Sequence, residues 1–263
     1  MIVSRRPQGL VLVRQVDHQE QCGLMARAWG GGGFALPDHA EALVTAARLH
    51  DEGWREWEAA PRAHDGRPVD FTEIDRSEHV DLYRRGIDEV RRRDPLAGLL
   101  VSLHGQGLYE ARRGLDPGEP TPRAQRAPHV RKFLEEQDRV QDELRAAIGE
   151  RAPSPEWEWA AYRLLQAWDS LSLYLTWRAL PAGRAGGLPR VPREVGDPGV
   201  DLELRPDGES GCTIRPWPFG ADRVALPITA RAIPDRRYAG DDDLRAAFEA
   251  AVPFTLELSA RPA

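Results

Sequence analysis

Apolar residues recur at helical spacing through most of the first 180 positions of the chain. The spacing i, i+3, i+4, i+7 marks the inward face of a helix, and it predicts six helices here. They cover approximately residues 17–29, 38–57, 77–93, 95–105, 129–148 and 155–180. Ser77 is the expected N-terminal cap of the third helix.

Beyond about residue 182 the pattern changes to the alternation of β-strands, as in "VDLELRPDG" and "FTLELSA". One short helix is expected at 241–251. An N-terminal hairpin over residues 2–14, turning at Pro7-Gln8-Gly9, is too small to be stable alone, so we expect it to pair with the late strands. The predicted fold is mainly α, with a smaller antiparallel β-rich part. The predicted division is a helical domain at 1–185 and a β-rich subdomain at 199–261.

Six polar residues lie on the inward faces of five helices: His18, His50, Asp51, His79, His104 and Asp169. Burying one such group costs several kcal/mol unless it is paired. Six separate hydrogen-bonding solutions could satisfy them, but one shared metal centre is the simpler explanation. Imidazole and carboxylate ligands suit Fe, Mn, Zn, Co or Ni, and the lack of a cysteine cluster argues against a structural zinc site.

Other residues near this set have weaker signals. Trp54, Tyr109 and Trp168 could wall a substrate pocket, although core packing explains the tryptophans equally simply. Glu52 is expected to be solvated because it lies about 100° around the helix from Asp51. The three remaining histidines, His39, His64 and His129, fall at helix starts or in a polar loop and are expected to be exposed.

The order His18, His50-Asp51, His79, His104, Asp169 resembles the HD-domain superfamily of helical metalloproteins, in its six-ligand, two-metal form. The resemblance covers about residues 16–180. It implies an HD-like helical bundle in which Asp51 bridges two ions. His18, His50 and Asp169 would complete the first ion's ligands, and His79 and His104 would hold the second. The stretches "SLHGQGLY" and "WDSLSLYL" also look like an uncharacterised bacterial family.

This resemblance implies a hydrolase that uses two divalent ions, most simply Fe or Mn, on a small molecule, with Asp51 as the catalytic residue. A diiron oxygenase of a small hydroxylated substrate and a metal- or ligand-binding protein without turnover are the alternatives. Many HD proteins follow the pair with Gly and then Lys, whereas this chain has Gly53 and then Trp54. The missing lysine suggests a weakly charged substrate.

Charge and composition limit the classes of partner that the protein is expected to bind. The chain has 263 residues and a net charge of -6, and Lys132 is its only lysine. Scattered arginines on an acidic chain form no nucleic-acid footprint. The sequence has no run of about 18 apolar residues, which predicts no membrane span, and two distant cysteines predict no disulfide framework. We expect a cytoplasmic protein, and the oligomeric state stays open.

Overall fold

The computed structural model describes residues 1–6, 9–117, 120–178 and 183–263. Its helices are α1 (Gln15–Ala28), α2 (Ala40–Leu49), α3 (Arg55–Ala59), α4 (Arg76–Arg93), α5 (Pro95–Gly107), α6 (Ala111–Gly114), α7 (Pro128–Ile148), α8 (Pro155–Leu173) and α9 (Asp241–Ala250). Its strands are β1 (Ile2–Arg6), β2 (Gly9–Val13), β3 (Ala63–His64), β4 (Arg67–Pro68), β5 (Gly186–Val191), β6 (Val200–Asp207), β7 (Gly211–Arg215), β8 (Val224–Ala225), β9 (Ile228–Ile233), β10 (Phe254–Leu256) and β11 (Ser259–Pro262).

The N-terminal hairpin joins a four-stranded antiparallel sheet in the order β1-β2-β9-β10. Val11 of β2 pairs with Ala232 of β9, so the predicted pairing with the late strands is confirmed. Alternate residues of β2 face two apolar clusters: Val11 contributes to the main core, whereas Leu12 packs in a cluster with Phe248 of α9. Burial on both faces explains the nearly continuous apolar run "GLVLV". The expected turn at Pro7-Gln8 lies outside the described residues.

A second sheet has the order β5-β6-β7-β11-β8, and one of its pairs is parallel. Cys212 of β7 lies beside Ala260 of β11 in that pair, so an entirely antiparallel β part was a wrong expectation. Only a short hairpin forces neighbouring strands to run antiparallel. The chain between β7 and β11 contains three strands and α9, and can therefore return in either direction. With two sheets beside the helices, the fold is mixed α/β rather than mainly α.

Two helix ends differ from the sequence prediction. The second helix stops at Leu49, and a 3-10 turn at Glu52–Trp54 separates it from α3. The cap of α4 is Asp75 rather than Ser77, since its carboxylate accepts the backbone N–H of Ser77 at 2.8 Å. Helix α8 ends at Leu173 and continues as a π-helical turn, Tyr174–Arg178. The expected end near Leu180 lies outside the described residues.

One apolar core contains residues from both halves of the chain, including Leu43, Leu100 and Leu165 from the helices and Leu204 and Ile214 from the second sheet. The division at 185–199 stays a prediction. Within the described ranges, none of the helices is sufficiently long and apolar to cross a membrane.

Deleting all residues after Pro198 should make the protein aggregate. The deletion removes β9, the neighbour of β2, and leaves a strand with two apolar faces and an unpaired edge. We expect most of the truncated chain in the insoluble fraction, compared with the full chain expressed in parallel, and increased light scattering from any soluble remainder. A monodisperse truncation with an unchanged helical circular dichroism signal would contradict the dependence of the hairpin on β9.

Candidate metal centre

Five of the six predicted ligands lie in one deeply buried cluster between four helices. His18 comes from α1, His50 and Asp51 follow the end of α2, His104 comes from α5 and Asp169 from α8. Each is at most 4% exposed. The rings of His18 and His50 have their centroids 5.3 Å apart, and those of His50 and His104 are 4.9 Å apart. The inward stripes read from the sequence therefore converge at these five positions.

His50 presents an unpartnered ring nitrogen to a carboxylate. Its Nδ1 lies 2.9 Å from the Ala47 carbonyl oxygen, which can only accept, so Nδ1 carries a proton. In the neutral ring Nε2 then has a lone pair, and this buried atom has no hydrogen-bond partner among the described residues. It faces Asp51 Oδ2 at 3.4 Å. Two acceptors at this separation require a cation or an added proton between them.

His18 also turns its Nε2 toward a carboxylate, that of Asp169, and here the two atoms lie within hydrogen-bond distance. Its Nδ1 lies 2.7 Å from Ser172 Oγ, and that hydroxyl donates its single proton to Gln21 Oε1. The hydroxyl therefore accepts from Nδ1–H, and the opposite nitrogen, Nε2, faces Asp169 Oδ1 at 3.2 Å. Two ligands each about 2.1 Å from one ion are roughly 3.0–3.4 Å apart. Both imidazole–carboxylate pairs have the spacing of adjacent metal ligands.

The carboxylate of Asp51 is fixed in orientation by its neighbours. Tyr83 donates its hydroxyl proton to Asp51 Oδ1 at 2.8 Å, and the Asp51 backbone N–H donates to Gln19 Oε1 at 2.9 Å. The Gln19 amide in turn donates to Glu52. Glu52 is 9% exposed, so the expectation of a solvated residue was wrong. Such supporting hydrogen bonds orient ligands and commonly change metal affinity about 10–100-fold.

His104 completes a group with His50 and Asp51, whose potential ligand atoms all lie within 4.8 Å of one another. Its Nδ1 is 2.6 Å from the side-chain amide nitrogen of Gln166, whose oxygen has no hydrogen-bond partner among the described residues. With this amide turned over, Nδ1–H donates to the oxygen, and Nε2 becomes a ligand. Burial, with a smaller effect of His50, lowers the pKa of His104 to about 3, so the ring is neutral at pH 7.

Cys22 is a possible ligand that the sequence reading missed. Its Sγ lies 3.9 Å from His18 Nε2, and His18, Cys22 and His50 form a second group with ligand atoms within 4.8 Å. Burial raises the pKa of the Cys22 thiol, and a bound metal would remove that proton. The spacing of four residues from His18, one helical turn, was a signal that could have identified it.

Arg112 is the second residue that the sequence reading missed. Its Nη1 donates to Asp169 Oδ2 and to Ser170 Oγ, both at 3.0 Å. Burial opposes ionisation of Asp169, but Arg112 and His18 hold the pKa of its carboxyl well below the usual range. Three successive residues, Ala111, Arg112 and Arg113, have positive φ angles of 47–52°. This rare backbone directs Arg112 inward, and no hydrophobic pattern predicts it.

His79 lies apart from the metal-compatible groups. It is half-buried on α4, with Nδ1 2.5 Å from the Tyr109 hydroxyl, and burial lowers its pKa to about 4. Neither group of potential ligands among the described residues contains His79 or Asp169. The described residues therefore bring together a more complete set of donor atoms for the first ion than for the second, which His79 and His104 would hold.

A cavity of about 390 Å³ opens beside the cluster. Asp51, His79, His104 and Asp169 line one wall, and Trp54 and Tyr109 line others. Trp168 is not among the lining residues: it is fully buried, with its ring 5.7 Å from that of Trp29. Two of the three predicted pocket residues thus reach this cavity. His39 and His64 are exposed, as expected, and His129 is half-buried.

Comparison with known proteins gives a family and no activity. A family model described as "Protein of unknown function (DUF3891)" matches residues 1–235. No curated protein and no solved structure matches the chain.

Gly53→Ala should destabilise the protein by about 2–3 kcal/mol, as overpacking typically does. A Cβ at Gly53 would overlap the Leu82 carbonyl oxygen of α4, so the turn after Asp51 would have to move away from Tyr83. Thermal unfolding measures the loss. Gly240→Ala is the matched control, because a Cβ there meets nothing within 4 Å. Equal Tm values for the two variants would show that the turn tolerates displacement.

Proposed function

The chain belongs to this family of proteins of unknown function, and we propose that it is a metal-dependent hydrolase with an HD-like helical domain. The observation that carries the proposal is the pair of buried imidazole nitrogens facing carboxylate oxygens, His50 with Asp51 and His18 with Asp169. In each ring the other nitrogen already donates its proton elsewhere. Divalent ions held there would supply the positive charge that each pair requires.

We assign the first ion to His18, His50, Asp51 and Asp169, and the second to His79 and His104, with Asp51 shared. The first set is supported by the two facing pairs. The second is supported by the resemblance and by the place of His79 and His104 on the cavity wall. Imidazole and carboxylate donors suit Fe or Mn. Cys22, beside His18, would favour iron or zinc over manganese if it joined the first set.

Divalent ions bound here would lower the pKa of water and stabilise negative charge on a substrate oxygen. The protein's own residues position the reactants. Asp51 is the proposed catalytic residue, held rigid by Tyr83 and Gln19. Arg112 holds the outer oxygen of Asp169. Trp54, which is 1% exposed, and Tyr109 close the cavity walls and limit the access of bulk water.

Asp51→Ala should lose most of the bound metal. The substitution removes the carboxylate shared by both proposed sets, and the loss should exceed the 10–100-fold typical of a supporting residue. Elemental analysis of protein purified without chelators or a histidine tag measures it. Asp81→Ala, a change of an exposed carboxylate on α4, is the control and should keep native metal content. Full occupancy in Asp51→Ala would exclude the shared role.

The metal-loaded protein should hydrolyse a model phosphoester such as bis(p-nitrophenyl) phosphate at the same rate in air and under argon. His50→Ala should reduce the rate at least ~100-fold, because it removes a proposed ligand. Release of p-nitrophenol is the measurement. Turnover of the iron form that requires oxygen would instead assign an oxygenase. Bound metal without any turnover would assign a binding protein.

A further inference from the structure

We propose that the cavity beside the metal centre binds an oxyanionic group of its substrate through Arg76 and Arg126. This inference rests on the proposed function in taking the cavity as the substrate site. It replaces the expectation of a weakly charged substrate, which rested on the lysine missing after Gly53. The arginines come from elsewhere in the chain: Arg76 begins α4, and Arg126 precedes α7.

Both arginines are available to a ligand. Among the described residues, neither guanidinium forms an ion pair or a side-chain hydrogen bond. Arg126 is half-buried, and its Nε is buried without a hydrogen-bond partner. Arg112, the third arginine on the cavity wall, is already engaged by Asp169. A buried N–H without an acceptor is costly, and a bound oxyanion would supply that acceptor.

The charge balance of the cavity favours an anion. Its lining contains three carboxylates, Asp51, Asp116 and Asp169, and the three arginines. Any divalent ion held by Asp51 and Asp169 would add positive charge to an otherwise balanced cavity. Guanidinium groups bind phosphate and carboxylate groups through two parallel hydrogen bonds. The charge of the cavity and the hydrogen-bonding pattern of guanidinium groups therefore both favour an anionic ligand.

The remaining lining limits the size and polarity of the ligand. The volume of about 390 Å³ is near the lower end for small-molecule sites. Apolar groups, among them Phe71, Ile74 and Leu108, lie on the walls with Trp54 and Tyr109. The structure thus fits a small organic phosphate or carboxylate with an apolar or aromatic body. Its anionic group would contact Arg76 and Arg126, and its body would lie against Trp54.

Isothermal titration of the full-length protein with inorganic phosphate, and separately with succinate, tests the subsite. We expect at least one of the two anions to bind. Arg76→Gln and Arg126→Gln should each weaken binding about 10-fold, and the double variant should abolish it. Arg126→Lys should recover only part of the affinity, because lysine keeps the charge without the fork. Arg139→Gln, an exposed position on α7 outside the cavity, should bind like the native protein.

Binding of neither anion, or equal binding by the native protein and the double variant, would overturn the subsite. The anion that binds more tightly, phosphate or succinate, shows whether the subsite prefers a phosphate or a carboxylate group. The same titrations in Asp51→Ala separate the two proposals: arginine-dependent binding that persists there supports the subsite even if the protein neither holds metal nor hydrolyses esters. If anion binding does not depend on Arg76 and Arg126 although the native protein hydrolyses esters, the subsite is excluded and the proposed hydrolase function stands.

Discussion

The centre of the molecule depends on the proton positions of two buried histidines. His50 and His18 each commit the Nδ1 proton to a fixed acceptor, Ala47 O or Ser172 Oγ, and each turns its Nε2 toward a carboxylate oxygen. Burying two unpaired acceptors face to face would cost several kcal/mol. The arrangement is stable only with positive charge between the members of each pair, which a proton on the imidazole or a bound metal ion would supply.

This constraint accounts for the hydrogen bonds that surround the cluster. A metal centre requires its ligands to be positioned within a few tenths of an ångström, so each ligand needs a support of its own. Tyr83 and Gln19 hold Asp51, and Arg112 holds Asp169. Gly53 allows the turn after Asp51 to touch the backbone of α4. The β-rich half also contacts the helices, because Trp29, just after α1, is bridged to Phe219.

Hydrophobic periodicity predicted much of this, because an inward stripe constrains a polar residue on the same face. It placed His18, His50, Asp51, His104 and Asp169 in the core, where the structure has them. Periodicity carries no information about backbone that departs from the regular helix. The break after Leu49, the positive φ of Arg112 and the parallel β7–β11 pair were therefore missed. Nor can periodicity distinguish a residue that lines a cavity from one packed in the core. Trp54 lines the cavity, whereas Trp168 lies in the core.

The position of Arg112 connects the metal centre to the choice of ligand. Its guanidinium pairs with Asp169 and keeps this carboxylate ionised in a buried place. An ion that shares Asp169 weakens the arginine's hold, since the carboxylate charge is then divided between two cations. Arg112 can then contribute to an anion in the cavity that it lines with Arg76 and Arg126. Binding of metal and of an oxyanion should therefore favour one another, because each adds the charge that the other requires.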